Sequence, residues 1–127
     1  MKPTIFRLLA LIAMLGIYGT AAADTVRVVW ICTVNEGKTL DDVRAANSAW
    51  VRFMHAKVDD GISSTILTPI VGDFSAGRFV FADDFPTMEV WNEARAATET
   101  DEGQAIDAAI NAASTCASNS MYSAEMS

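Results

Sequence analysis

Val26-Arg27-Val28-Val29-Trp30-Ile31-Cys32-Thr33-Val34 is rich in β-branched and aromatic residues and reads as a strand. Both of its parities are apolar. Val26, Val28, Trp30, Cys32 and Val34 share one face; Val29 and Ile31 share the other. A strand apolar on both faces is covered on both faces. Helices supply one cover. In a chain this short, a second subunit is the candidate for the other.

The sequence ahead of this strand has the layout of an export signal. Lys2 and Arg7 precede an apolar run from Leu8 to Ile17, and Ala21-Ala22-Ala23 supplies the small residues that a signal peptidase reads. Residues 1–23 are therefore expected to be a signal peptide, with Asp24 as the mature start. The run is shorter than the roughly 20 apolar residues a membrane span needs. A periplasmic or secreted protein is expected, with residues 24–127 as a single α+β domain. Without Lys2 and Arg7, seven basic residues face sixteen acidic ones, a net charge of −9. Such a chain lacks the basic stripe that nucleic acid or an anionic membrane would require, so neither is expected as a partner.

Downstream of the strand, Thr39 has the character of a helix N-cap, with Asp41 and Asp42 in the first turn. Leu40, Val43, Asn47, Trp50 and Met54 follow helical spacing to about Lys57. Asn47 is the polar member of that stripe and is expected to bond to backbone at its edge. A second strand is expected over residues 62–71, on an edge because Pro69 cannot donate to a ladder. Residues 72–77 read as a hairpin loop and Arg78–Ala82 as a third strand. Pro86 is placed in the first turn of a helix whose apolar side holds Met88, Val90, Trp91 and Ala94. The run Thr100-Asp101-Glu102-Gly103 breaks that helix and starts another. Its core side, Ile106, Ala109, Ile110 and Ala113, continues to Cys116, and residues 118–123 form a short last strand with Met121 and Tyr122 pointing opposite ways.

This β-α-β-β-α-β order, with a split second helix, predicts a ferredoxin-like sandwich with an antiparallel sheet. In that topology the last strand lies antiparallel beside the first. The end of the first strand then meets the start of the last, where Cys32 and Cys116 fall. One disulfide between them is expected, as an oxidising compartment favours. The Cys32 parity becomes the helix-covered face, and Val29 and Ile31 line the open face.

The order, the open apolar sheet face and the segment Asp83-Asp84-Phe85-Pro86-Thr87-Met88-Glu89-Val90-Trp91 resemble the dimeric α+β barrel group. In that group two ferredoxin-like units pack sheet to sheet. The segments Cys32-x4-Gly37-Lys38-Thr39-x-Asp41-Asp42, Gly77-x-Phe79 through Trp91, and Gly103-Gln104-Ala105-Ile106 through Cys116-x-x-Asn119 are similar to a group of short exported bacterial proteins of unknown function. The resemblance implies architecture and a homodimer. Some barrel-group members are oxygenases, including haem-degrading ones that use an Asn, a Trp and a His. Here Asn47, Trp50 or Trp91, and His55 would be the counterparts. His55, however, shares its helix side with Arg44, Ser48 and Arg52, and no histidine follows Trp91 where the haem-binding members carry one.

No catalytic residue, metal site or cofactor is expected from the remaining sequence. One histidine and two distant cysteines fall short of a zinc site. The pairs Asp41-Asp42, Asp59-Asp60 and Asp83-Asp84 lack the alternating spacing of a calcium loop and are read as acids at element ends. The expected function is that of a non-enzymatic exported module that dimerises through its sheet and holds a small apolar ligand. Val29, Ile31, Asn47, Trp91 and Tyr122 are the ligand-lining candidates. A small cofactor-poor oxygenase or isomerase is the alternative, and it requires a polar constellation among the lining residues. A protein-binding or inhibitor module is the third reading.

Overall fold

A computed structural model describes residues 24–72 and 75–127. The expected signal peptide, and Asp73 and Phe74 of the expected loop, lie outside the described residues. The elements are β1 (Thr25–Val34), α1 (Leu40–Lys57), β2 (Ser63–Leu67), β3 (Arg78–Phe85), α2 (Met88–Thr98), α3 (Asp101–Ala113) and β4 (Ser114–Ala124). The strands form one sheet in the order β2-β3-β1-β4, with every pairing antiparallel. This is the ferredoxin-like fold, with its second helix split in two.

Local chemistry sets the helix ends. Thr39 and Asp42 form a reciprocal capping box at α1, each side chain bonding to the other's backbone. Thr87 caps α2 by accepting from Val90 N at 3.1 Å, and Thr100 caps α3 by accepting from Gly103 N at 3.1 Å. Gly103 is buried where α3 starts against the end of α2. A Cβ there would run into the Ala97 carbonyl oxygen and lie 2.7 Å from Thr98 Cα. At the other end of α3, Asn35 Nδ2 donates to the carbonyls of Asn111 and Ala112, and Thr115 donates to Asn35 Oδ1. The exit of β1 is thereby tied to the α3–β4 junction.

Register assigns the two faces. Val26, Val28, Trp30 and Cys32 of β1 stand across from Phe85, Asp83, Phe81 and Phe79 of β3. Two buried clusters draw their strand residues from this set. One joins Val26, Val28 and Phe85 to Phe53, Met54, Ile62 and Ala94; the other joins Cys32, Phe79 and Phe81 to Val43 and Ala113. Trp30 packs against both. The helices thus cover the Cys32 parity, and Val29 and Ile31 lie half-buried on the opposite face.

Several element boundaries differ from the expected ones. Cys116 is on β4 and not at a helix end, because α3 stops at Ala113 and the strand begins at Ser114. Cys32 and Cys116 are direct register partners at an irregularity in the β1–β4 ladder, and they form the disulfide across 84 residues of sequence. Cys32 is buried, whereas Cys116 sits exposed on an edge strand. β2 ends at Leu67, short of Pro69, and Ile70 and Val71 are 87% and 89% exposed. β3 runs on to Phe85, so Pro86 precedes the helix cap instead of joining the first turn. Ala109 is exposed and does not share the core side of α3. Among the described residues no helix is long and apolar enough to cross a membrane.

Candidate functional site

The helices and the sheet enclose a cleft of about 630 Å³, within the range typical of small-molecule sites. Its floor is the helix-covered face of β1 and β3: Val28, Trp30, Phe81, Asp83 and Phe85. Asn47, Trp50 and Met54 of α1 form one wall, and Trp91, Ala94 and Arg95 of α2 contribute to the other. Asn119 and Met121 of β4 border it on the side where that strand is exposed. All three tryptophans therefore face one space. Trp50 meets Phe85 edge to face at 6.3 Å, and the Arg95 guanidinium lies 5.2 Å from the Trp91 ring centre.

One ionisable side chain stands on this aromatic floor. Along β3 the residues of the covered face run Phe79, Phe81, Asp83, Phe85. Asp83 occupies a position where the alternation calls for another apolar side chain. Ser64, its partner across the β2–β3 ladder, places Oγ 2.5 Å from Asp83 Oδ1 and 3.1 Å from Asn47 Oδ1. The hydroxyl has one proton for two acceptors. With Asp83 ionised, the carboxylate is the stronger acceptor. With Asp83 protonated, the acid can donate to Oγ and leave the Ser64 proton to Asn47. Burial pushes the Asp83 carboxyl up to about 6 from its usual 3.8. Hydrogen bonds from Ser64 and Trp30 oppose that rise, and the Asp84 charge adds to it.

The five lining candidates fall on two sides of the sheet. Asn47 and Trp91 line the cleft. Val29 and Ile31 lie on the opposite face, and Tyr122 shares that face as the register partner of Arg27. Asn47 is buried, as an apolar stripe requires, but its partner is the Ser64 hydroxyl and not backbone. His55 is exposed, though not merely solvated: Nε2 lies 2.6 Å from the Ile62 carbonyl oxygen, which accepts from it. A third strand ending at Ala82 leaves Asp83 outside the sheet, and with it the cross-strand contact to Ser64. The signal was present in sequence, as a carboxylate continuing the Phe79–Phe81 parity ahead of Phe85.

With this geometry the chain has the ferredoxin-like α+β fold. Solved structures bear the likeness out at the level of fold. The chain is similar to SnoaB of Streptomyces nogalater, described as a cofactor-independent oxygenase, with 17% identity and a TM-score of 0.61. That alignment covers 83% of this chain and 97% of the other. A SnoaB variant with one asparagine replaced by alanine aligns equally well, with a TM-score of 0.62. A conserved protein from Bacteroides thetaiotaomicron, of unknown function and described as a possible oxidoreductase, aligns at 13% identity and a TM-score of 0.56, covering 80% of this chain and 99% of that one. No protein-family model matches the chain, and no curated protein matches it.

Proposed function

We propose that this chain is an exported small-molecule-binding protein whose ligand is flat and largely apolar. The ligand sits in the cleft between helices and sheet. The observation that carries this reading is the convergence of Trp30, Trp50 and Trp91 on one cleft with Phe81 and Phe85. Aromatic walls favour planar ligands, and the few polar groups beside them set orientation. Tryptophan fluorescence titrated with β-naphthol tests it: saturable quenching supports the reading, and a strictly linear response contradicts it.

Pairing through the open sheet face belongs to the same proposal. Ile31 stands across from Val80, which stands across from Leu67, and Val29 lies across from Ala82. Leu67 is 50% exposed. These side chains make a contiguous apolar strip that a second copy would cover. Export is supported by the leader pattern of residues 1–23 and by the Cys32–Cys116 disulfide.

A second reading, a cofactor-independent oxygenase or isomerase, is favoured by the Asn47–Ser64–Asp83 cluster. This is the polar constellation that such chemistry requires. The likeness in fold to SnoaB, described as a cofactor-independent oxygenase, points the same way.

A further inference from the structure

We propose that Asp83 is a general base, and that the cleft takes an aromatic ketone or related hydroxyaromatic compound carrying an acidic C–H beside its carbonyl. This rests on the cleft being a ligand site. It adds what the site does and to which chemical class.

Asp83 lies mid-sheet, between Phe81 and Phe85 along its strand and across from Val28. It lines the cleft that the three tryptophans border. A carboxylate among aromatic rings is costly unless it is bonded, and the bonds it receives are specific. Ser64 holds it at 2.5 Å, and Asn47 stands on the far side of the same hydroxyl. A ring seated against Trp30 and Phe81 would bring its edge to this carboxylate.

The step balances without any other reactant. Asp83 takes the proton from the carbon beside the carbonyl, and the C–H electron pair becomes the enolate π bond while the carbonyl π pair moves to oxygen. The amide N–H groups of Asn47 are donors suited to that oxygen. Return of the proton from Asp83 to carbon or oxygen completes a tautomerisation. A carboxyl pushed up to about 6 is largely ionised at neutral pH and is a stronger base than an ordinary carboxylate.

Other charges face the group from each packed element. Asp84 follows it on β3 but points to the open face, where Arg27 binds it through two bonds of 2.7 and 2.8 Å. Arg95 of α2, Glu99 at its C-terminal cap and Asp107 of α3 line the outer cleft and are exposed. Asn47, Trp50 and Met54 of α1, Val28 and Trp30 of β1, and Asn119 and Met121 of β4 bring no ionisable group to the cleft.

The test uses the purified oxidised protein with β-tetralone in deuterated buffer, following deuterium uptake beside the carbonyl by NMR. The expected result is exchange above the buffer rate that rises through about pH 6. In Asp83→Asn it falls by about 10²-fold or more, and in Asp41→Asn, an exposed acid at the start of α1, it is unchanged. Melting curves for Asp83→Asn establish that the variant is folded. Two results overturn this proposal alone: exchange that survives in folded Asp83→Asn, or saturable β-tetralone binding, read by tryptophan quenching, with no exchange. The second leaves the ligand site standing. Absence of any binding overturns both.

Discussion

The Ser64 hydroxyl lies 2.5 Å from Asp83 Oδ1, directly across the β2–β3 ladder and inside an aromatic cleft. That contact favours the charged carboxyl, while burial opposes it more strongly. Ser64→Ala removes the favourable contribution alone. Asp83 should then titrate above 6, and carboxyl-carbon NMR across a pH series reads the change directly. An unchanged midpoint would mean that Ser64 does not hold the charge.

Asp83 also makes stability depend on pH. Its carboxyl titrates near 3.8 without the fold and near 6 within it. Between those values the folded chain holds the extra proton, so this contribution to stability falls as pH rises through the window and stays lowered above it. Asp83→Asn should abolish that slope. At neutral pH the variant should be more stable by about 2 kcal/mol, less than the full shift implies because the carboxyl is partly solvated. Urea midpoints at pH 4 and pH 7 measure both effects.

The disulfide joins Cys32 to Cys116 across most of the described chain. Closing a loop of that length restricts the unfolded state by about 4–5 kcal/mol in the chain-entropy view. A Cys32→Ser, Cys116→Ser double variant should lose stability on that scale, as a lowered denaturation midpoint. A midpoint unchanged within error would assign stability to the helix-covered core alone.

Gly103 carries its own prediction. Gly103→Ala would press a methyl group onto the Ala97 carbonyl and the Thr98 backbone. Neither can give way without moving α2 against α3. The cost should be about 1–3 kcal/mol, measured by thermal melting, whereas Gly37→Ser, where no neighbour lies within 4 Å but φ is +76°, should cost only backbone strain.

On the open sheet face, Ile31→Glu should abolish self-association while leaving cleft binding intact. Light scattering of the parent protein should report a dimer at micromolar concentration, and the variant should report a monomer. A monomeric parent would remove the pairing half of the proposal.

The two-faced character of β1 was legible in the sequence because alternation on a strand is a short-range signal, and the sheet arrangement followed from the β-α-β-β-α-β order of elements. The cysteine pairing followed from topology, since a last strand antiparallel beside the first brings Cys116 next to Cys32. What escaped was the catalytic candidate. Asp83-Asp84 reads as a pair of acids closing an element, because acids are usual there. The structure divides the pair between faces: Asp84 meets Arg27 on the open side, and Asp83 enters the cleft. Gly103 was read as a break for a similar reason. A glycine can mark the end of a helix or a place where another backbone comes close, and only the packing of α3 on α2 distinguishes them. The lining candidates were split for a third reason. A barrel interior and a helix–sheet cleft both need apolar strand residues, and β1 supplies both at once.

Ligand chemistry belongs, in this proposal, to the helix side of the sheet. Nitrogen-15-labelled protein titrated with β-naphthol tests this most directly. Saturable shifts are expected at Val28, Trp50, Trp91 and Ala94 and at the indole N–H groups, with Val29, Ile31 and Tyr122 unmoved. Shifts confined to Val29, Ile31 and Tyr122, or no saturable shift at any residue, would contradict it.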